Sequence, residues 1–249
     1  MKIKTLVLAL FVSLNTMAQH FDQSRMDSLF SIIENNDKGM GSISIVKDGK
    51  EVYQNTIGFL NIEKQIPINK DTKFRIGSIS KTFTATIIMK LVEHDKLSLD
   101  TKLAKFFPKI TNAEKITIKH LLKHRSGIYN FTSASDYLSW MEQPITKEEL
   151  VKKIVANGIV FEPGEKTKYS NANYVLLSFI AEDVTGKNFS KILEEFITQP
   201  CKLKHTYFGS NINTKNNEAM SYNKLHEWEL ATETDMSIPM GAGSIVSTP

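Results

Sequence analysis

The sequence holds a single cysteine, Cys201, so no disulfide bond can form within the chain. It has no internal repeat and no low-complexity stretch, and beyond its first eighteen residues no apolar run approaches the length of a membrane span. Its basic residues are scattered in small groups such as Lys152-Lys153 and form no stripe. These absences exclude a scaffold stabilised by disulfide bonds and the continuous basic surface that is typical of a nucleic-acid-binding protein. Cys201 has no activating partner nearby in sequence, and we predict that it is a small apolar filler.

The composition is that of a globular protein. The 249 residues are 41% hydrophobic and 23% charged, and this length suits one domain or one large domain built in two lobes.

The first eighteen residues have the pattern of a secretory signal. Lys2 and Lys4 give a basic start, an apolar run follows over residues 6–14, and Thr16-Met17-Ala18 offers a small-residue cleavage site. We therefore predict that residues 1–18 are a cleaved signal peptide, that the protein is secreted or periplasmic, and that no membrane span remains after cleavage. Without these two lysines the 31 basic residues become 29 against 27 acidic ones, a formal net charge of +2.

Periodicity and turn signals predict an α+β protein. Residues 21–36 have helical spacing, and alternating residues on both sides of Asp48-Gly49 predict a hairpin. Helices are then predicted over residues 78–95, from Thr117 to a stop at Gly127, from the Thr146-x-x-Glu149 capping box to residue 158, over residues 170–185, and over residues 190–199.

A serine and a lysine stand three residues apart in Ser78-Ile79-Ser80-Lys81, at the opening of an apolar helix. Residues at this spacing share a helix face, so the hydroxyl and the amine can meet. A serine hydroxyl becomes a good nucleophile when a neighbouring base takes its proton, and a lysine can be that base if burial or positive potential lowers its pKa. Alone the motif is weak, because such a spacing arises by chance about once in a chain of this length and usually lies on a solvated helix surface.

Tyr169-Ser170-Asn171 is a second feature, preceded by a Pro163-Gly164 turn. A tyrosine near a lysine can carry protons to a leaving group, and an asparagine amide can bind a peptide-like carbonyl. Taken by itself, Tyr169 is more simply an aromatic residue at the start of a helix.

Together these features resemble a known family. The segment from Phe74 to Thr82, reading FRIGSISKT, is similar to the nucleophile segment of class C β-lactamases and their relatives among D-alanyl peptidases, penicillin-binding proteins and esterases. LLKHRSG over residues 121–127, the Tyr169-Ser170-Asn171 box, KDGK at residues 47–50 and the glycine-rich residues 241–248 resemble further landmarks of that family, in the same order.

The resemblance implies a fold and a set of roles. The fold would be β-lactamase/transpeptidase-like, with a helical lobe and an antiparallel sheet. Ser78 would attack the carbonyl, Lys81 would help to deprotonate it, and Tyr169 would relay the proton to the departing group. Either Lys81 or Tyr169 could be the principal base, and Asn171 would hold the substrate's amide or polarise the surroundings of Lys81. No metal or organic cofactor is implied.

Two departures from the family pattern stand out. The third family box, a Lys-Thr-Gly or His-Thr-Gly run on a C-terminal strand, has no counterpart in this sequence, and Cys201-Lys202-Leu203 stands where Leu-Gly-Met is common. The missing strand would also supply one oxyanion-hole amide, whose loss costs about 3 kcal/mol of barrier. We therefore predict a partial domain over residues 19–249, truncated at its C-terminus, with a helix and hairpin at about 22–60 and a mostly helical catalytic lobe at about 75–205.

The functional prediction is a serine hydrolase that forms an acyl-enzyme on amide, lactam or ester carbonyls. Its substrate would be a β-lactam, a D-alanyl peptide or a small ester. The alternatives are a protein that binds penicillins or cell-wall peptides without efficient turnover, and an inactive fragment. His120 and His124 have a spacing that could seat a metal, but no third ligand is evident, so His124 is predicted to be a structural hydrogen-bonding residue.

Overall fold

The structure is a computed structural model and describes residues 21–249. The predicted signal peptide at residues 1–18 lies outside the described residues. The chain divides into two compact units, the first reaching Lys70 and including Pro249, and the second spanning Asp71–Thr248.

The first unit contains the predicted helix and hairpin. Helix α1 spans Gln23–Asn35, and strand β1 (Gly41–Lys47) pairs antiparallel with β2 (Lys50–Ile57). The connecting Asp48-Gly49 pair has φ values of 52° and 73°, as a two-residue hairpin turn requires. A second antiparallel pair follows, β3 (Phe59–Asn61) with β4 (Ile66–Pro67).

The second unit is mainly helical. Its helices are α2 (Ser80–Glu93), α3 (Ile118–Leu122), α4 (Lys147–Asn157), α5 (Asn171–Thr185) and α6 (Phe189–Leu193), and a single π-helical turn at Glu194–Thr198 continues α6. The Thr146/Glu149 capping box is formed at the start of α4, and Gly186 closes α5 in the left-handed conformation.

Helix α5 is the central element of this unit. Every residue from Ala172 to Ala181 is buried, so the helix is surrounded on all sides by other parts of the unit. Leu177 and Ile180 are fully buried in the main core. Because α5 begins at Asn171, burial of this helix also fixes the segment that carries Tyr169.

The sequence pattern did not predict the strands of the second unit. Strand β9 (Ile245–Ser247) lies between β5 (Phe74–Arg75) and β6 (Tyr207–Phe208) in an antiparallel sheet, and β7 (Tyr222–Lys224) pairs with β8 (Trp228–Leu230). Strands of two or three residues are too short to show alternation. The β5–β9 pairing brings the residues just before Ser78 next to the end of the chain.

Cys201 is exposed, so the prediction of an apolar filler was wrong. The residue lies in the turn that follows Pro200.

Within residues 21–249, no helix combines the length and apolar character needed to cross a membrane.

Truncating the core of α5 tests this packing. We expect Leu177→Ala to lower the free energy of unfolding by about 2–5 kcal/mol, because the fully buried side chain would leave a cavity. The matched control is Leu138→Ala, where the side chain is 73% exposed and the change should stay within about 0.5 kcal/mol. Denaturant unfolding measures both, and equal losses in the two variants would contradict the assigned core.

Candidate active site

Ser78 and Lys81 meet at the start of α2. A 3₁₀ turn over Gly77–Ile79 leads directly into this helix, so the two side chains lie on one face. The Lys81 Nζ lies 3.1 Å from the Ser78 Oγ. The hydroxyl and amine are therefore in hydrogen-bond contact, as the spacing predicted.

The structure brings Tyr169 and Asn171 to the same point. The Tyr169 Oη lies 2.7 Å from the Ser78 Oγ, and Lys81 Nζ donates to Asn171 Oδ1 at 2.8 Å. Asn171 is the first residue of α5 and Tyr169 stands two residues before it. All four residues predicted from the sequence thus converge on one site within the second unit.

A third acceptor of Lys81 was missed by sequence reasoning. The backbone carbonyl of Ala242 accepts from Lys81 Nζ at 2.8 Å. It belongs to a 3₁₀ turn over Met240–Ala242, which is held between two helices: Thr84 of α2 donates to the Gly241 carbonyl at 2.7 Å, and Gly241 N–H donates to Ser178 of α5 at 3.2 Å. A backbone carbonyl has no side-chain signature, so only the fold could reveal it.

The amine of Lys81 is buried, with 7% of the residue exposed. Burial lowers the pKa of Lys81 below the ordinary lysine value, and a hydrogen bond with the Tyr169 side chain opposes this shift in part. Asn171 Oδ1 and the Ala242 carbonyl can only accept hydrogen bonds. A neutral amine would use its two N–H groups on these acceptors and present its lone pair to Ser78.

Asn171 is itself held in one orientation. Its Nδ2 donates to Thr132 Oγ1 at 3.0 Å, while its backbone N–H donates to Asn130 Oδ1 at 2.9 Å. The Asn130 amide nitrogen also donates to Thr132 Oγ1, at 2.8 Å. With Oδ1 facing Lys81 and Nδ2 facing Thr132, the Asn171 side chain is committed mainly to the surroundings of Lys81. This geometry favours the role in which Asn171 polarises the surroundings of Lys81 over the role in which it holds the substrate's amide.

Ser78 opens onto a cleft of about 400 Å³ in the second unit. Its lining is rich in hydroxyl and other polar groups, contributed by Ser78, Thr132, Tyr137, Asn171, Ser221, Thr232 and Thr234. Arg75 and Glu233 also line it and form an ion pair with each other. Arg75 donates further to the carbonyls of Thr234 (3.0 Å) and Ser210 (2.8 Å), which ties one wall of the cleft to strand β5.

Neither histidine of the predicted pair has a metal-site environment. Thr117 N–H donates to His120 Nδ1 at 3.4 Å in the capping box of α3, and Ser170 N–H donates to His124 Nδ1 at 3.3 Å. Among residues 21–249, no three histidine, cysteine or acidic side chains cluster as metal ligands. The hydrogen-bonding role predicted for His124 is what the structure shows.

Known proteins share this fold. The D-amino acid amidase from Ochrobactrum anthropi SV3, solved with D-phenylalanine, superposes with a TM-score of 0.76 at 28% identity, over 88% of this chain and 66% of that one. An octameric penicillin-binding protein homologue from Pyrococcus abyssi gives a TM-score of 0.76 at 31% identity, over 92% of this chain and 54% of that one. The fold is therefore α+β and β-lactamase/transpeptidase-like, as predicted.

The sequence comparison defines the family. Residues 31–249 match the family model described as Beta-lactamase, and the chain belongs to this family. A teichoic acid D-alanine hydrolase from Staphylococcus aureus is 32% identical over 168 residues, which are 68% of this chain and 41% of that protein. The chain thus spans about two fifths of the length of this relative.

The close contact at Gly241 yields a prediction. A Cβ on this residue would lie 2.6 Å from Thr84 Oγ1 and 2.8 Å from Ser178 Cβ, so we expect Gly241→Ala to lower the free energy of unfolding by about 1–3 kcal/mol as the turn is pushed from the two helices. At Gly41 a Cβ would meet nothing within 4 Å, and Gly41→Ala is the matched control. Chemical denaturation compares the two variants. An unchanged stability for Gly241→Ala would refute the expected clash of the added Cβ with Thr84 and Ser178.

Proposed function

We propose that this protein is a serine hydrolase that forms an acyl-enzyme through Ser78. The observation that carries the proposal is the position of the Ser78 Oγ, in hydrogen-bond contact with both Lys81 Nζ (3.1 Å) and Tyr169 Oη (2.7 Å). A nucleophile with two proton-transfer groups beside it, on the wall of a cleft lined by several hydroxyl groups, has the arrangement that acyl transfer requires.

Lys81 is the proposed base of the first step. The Ser78 Oγ bonds to the substrate's carbonyl carbon while its proton passes to the lone pair of Lys81, and the carbonyl electrons move to oxygen. The lowered pKa of Lys81 increases the neutral fraction that can accept this proton. Asn171 and the Ala242 carbonyl hold the amine in place throughout.

Tyr169 is the proposed acid for the leaving group. Tyr169 is 47% exposed and its Oη lies 2.7 Å from the Ser78 Oγ, so a leaving group bound at Ser78 can reach the phenol. When the carbon–leaving-group bond breaks, the phenol gives its proton to the departing nitrogen or oxygen, and Lys81 returns the serine proton to the phenolate. In the second half of the reaction, the oxygen of a water molecule bonds to the acyl carbon while the water proton passes to Tyr169 and the phenol proton passes to Lys81. The bond between that carbon and the Ser78 Oγ then breaks, the carboxylic acid product leaves, and Lys81 returns the proton to the Ser78 Oγ.

The backbone N–H of Ser78 is the proposed donor to the developing oxyanion. It lies in the first turn of the 3₁₀ segment, where backbone N–H groups have no partner within the turn. Such a donor is worth about 3 kcal/mol of barrier in acyl-transfer enzymes.

D-aminoacyl amides and esters are the proposed substrates. The amidase and the teichoic acid hydrolase both act, by their names, on D-amino acid derivatives, one an amide and the other a D-alanine conjugate. The leaving groups of both classes, an amine or an alcohol, can take a proton from Tyr169. We further propose that the protein is exported, on the basis of the signal pattern at residues 1–18.

The direct test uses paired chromogenic substrates. We expect hydrolysis of D-alanine p-nitroanilide and of a D-alanyl nitrophenyl ester, with the L-enantiomers turned over more slowly. Ser78→Ala should lower kcat/KM by at least about 10³-fold, because loss of a serine nucleophile removes the covalent step. Ser190→Ala, at an exposed serine on α6, is the control and should keep the wild-type rate.

Mass spectrometry separates the remaining outcomes. A transient acyl adduct on Ser78 during turnover supports the hydrolase. A permanent penicilloyl adduct without hydrolysis of either D-substrate would instead identify a binding protein, and no adduct with any acyl donor would refute the nucleophile.

A further inference from the structure

His124 packs directly against the catalytic tyrosine proposed above. It follows α3 and has a left-handed backbone, with φ of 54°. Its ring lies 4.6 Å from the Tyr169 ring, centroid to centroid, with an interplanar angle of 30°. On α5 the Tyr174 ring lies 5.2 Å away. The imidazole therefore occupies the space between two tyrosine rings at the base of the site.

His124 also binds the backbone on both sides of Tyr169. The His124 carbonyl accepts from Lys168 N–H at 3.0 Å, and the His124 Nδ1 accepts from Ser170 N–H at 3.3 Å. The backbone on each side of Tyr169 is thus hydrogen-bonded to His124, and the Tyr169 ring packs against the His124 ring. Because the Tyr169 phenol must stay 2.7 Å from the Ser78 Oγ, a segment held this way limits how far the phenol can drift.

A chain of hydrogen bonds determines the protonation state of the ring. Ile128 N–H can only donate, and it donates to Ser126 Oγ at 3.1 Å. The Ser126 hydroxyl in turn donates to Asn173 Oδ1 at 2.6 Å. This turns the Asn173 Nδ2 towards His124 Nδ1, at 3.2 Å.

Two donors, Asn173 Nδ2 and Ser170 N–H, consequently point at one ring nitrogen. That nitrogen must carry a lone pair, so the proton of the neutral ring is on Nε2. A proton on Nδ1 would face both donors and break the contact with the tyrosine segment.

We infer that His124 is a positioning residue that holds the Tyr169 phenol against Ser78, and that it does so only as the neutral Nε2–H tautomer. This role rests on the proposed function, because it acts through Tyr169 and touches no reacting atom. His120, four residues earlier, makes a similar bond to a backbone N–H but serves the N-terminus of α3.

The surroundings of His124 set the direction of its pH response. Lys81 on α2 is the charged group whose field acts on the ring, Tyr169 and Tyr174 face it, and the neighbouring Arg125 guanidinium binds the Gly164 carbonyl. Burial, and next the charge of Lys81, lower the pKa of His124 below the ordinary value of 6.5. A lowered pKa means that the positioned state persists above pH 6.5 and is lost as pH falls through the lower value.

The kinetic test compares three variants. His124→Asn places an acceptor oxygen near Nδ1 without a ring or a titration, His124→Leu removes both ring and acceptor, and His120→Asn is the matched control. With D-alanine p-nitroanilide we expect His124→Leu to lower kcat about 100-fold with little change in KM, because a displacement of the phenol by about 1 Å costs this much. His124→Asn should recover part of the loss, and His120→Asn should behave as wild type.

The pH profile supplies a readout that a purely structural role would not change. Below the pKa of His124, the slope of log kcat/KM against pH in the wild type should increase by about one, because His124 then becomes protonated in addition to the catalytic base. This steepening should be absent in His124→Asn and present in His120→Asn. A profile that steepens identically in His124→Asn would overturn the inference.

Imidazole ¹⁵N NMR tests the tautomer without any activity. In Ser78→Ala at neutral pH we expect the signals of a neutral His124 with the proton on Nε2, and a proton on Nδ1 would overturn the inference even if His124→Leu failed to fold. No hydrolysis by the wild type would refute the proposed function and the positioning role with it. Unchanged rates in His124→Leu beside an active wild type would refute the positioning role alone.

Discussion

The amine of Lys81 lies where three segments of the second unit meet, and the geometry of the site depends on how they hold it. Its own helix places it beside Ser78, the start of α5 supplies Asn171 Oδ1, and the turn at residues 240–242 supplies the Ala242 carbonyl. Both of the latter groups are pure acceptors, so they fix two positions around the nitrogen and leave the third for Ser78. The packing of α2 and α5 around that turn therefore sets the chemistry of the nucleophile, because a displaced carbonyl would leave a buried N–H unpaired.

Local signals in the sequence were sufficient for the first hairpin, for most of the helices and for the Ser78–Lys81 contact. The Asp48-Gly49 hairpin, the Thr146 capping box and the Ser78/Lys81 spacing each depend on a few adjacent residues, and each is present in the structure. Tyr169 and Asn171 were noted as a separate motif but assigned to the site of Lys81 only through the family resemblance, since 90 residues separate Asn171 from Lys81. The Ala242 carbonyl and the short strands of the second unit left no pattern, because a backbone group and a two-residue strand have no periodicity.

The family relation and the site explain different parts of the protein. Membership of the Beta-lactamase family and the likeness to the amidase account for the fold. Thr132, Tyr137 and the Arg75–Glu233 pair line the cleft beside Ser78, where a substrate would contact them. Behind the reacting groups, His124 and the Ser126–Asn173 bond form a supporting layer that connects α3 with α5. The proposed pH response of His124 therefore reaches the catalytic groups through residues that do not contact the substrate.

The pKa of the Lys81 amine decides whether Lys81 can act as the base that activates Ser78. It can be followed by the pH dependence of the lysine Cε and Nζ NMR signals in isotope-labelled protein, with the Lys81 signal assigned by its absence from Lys81→Met. We expect the amine to titrate below 10.5, the ordinary lysine value, because it is buried among neutral acceptors. Titration at or above 10.5 would show that the amine is solvated or paired with an anion, and would contradict its role as the base that activates Ser78.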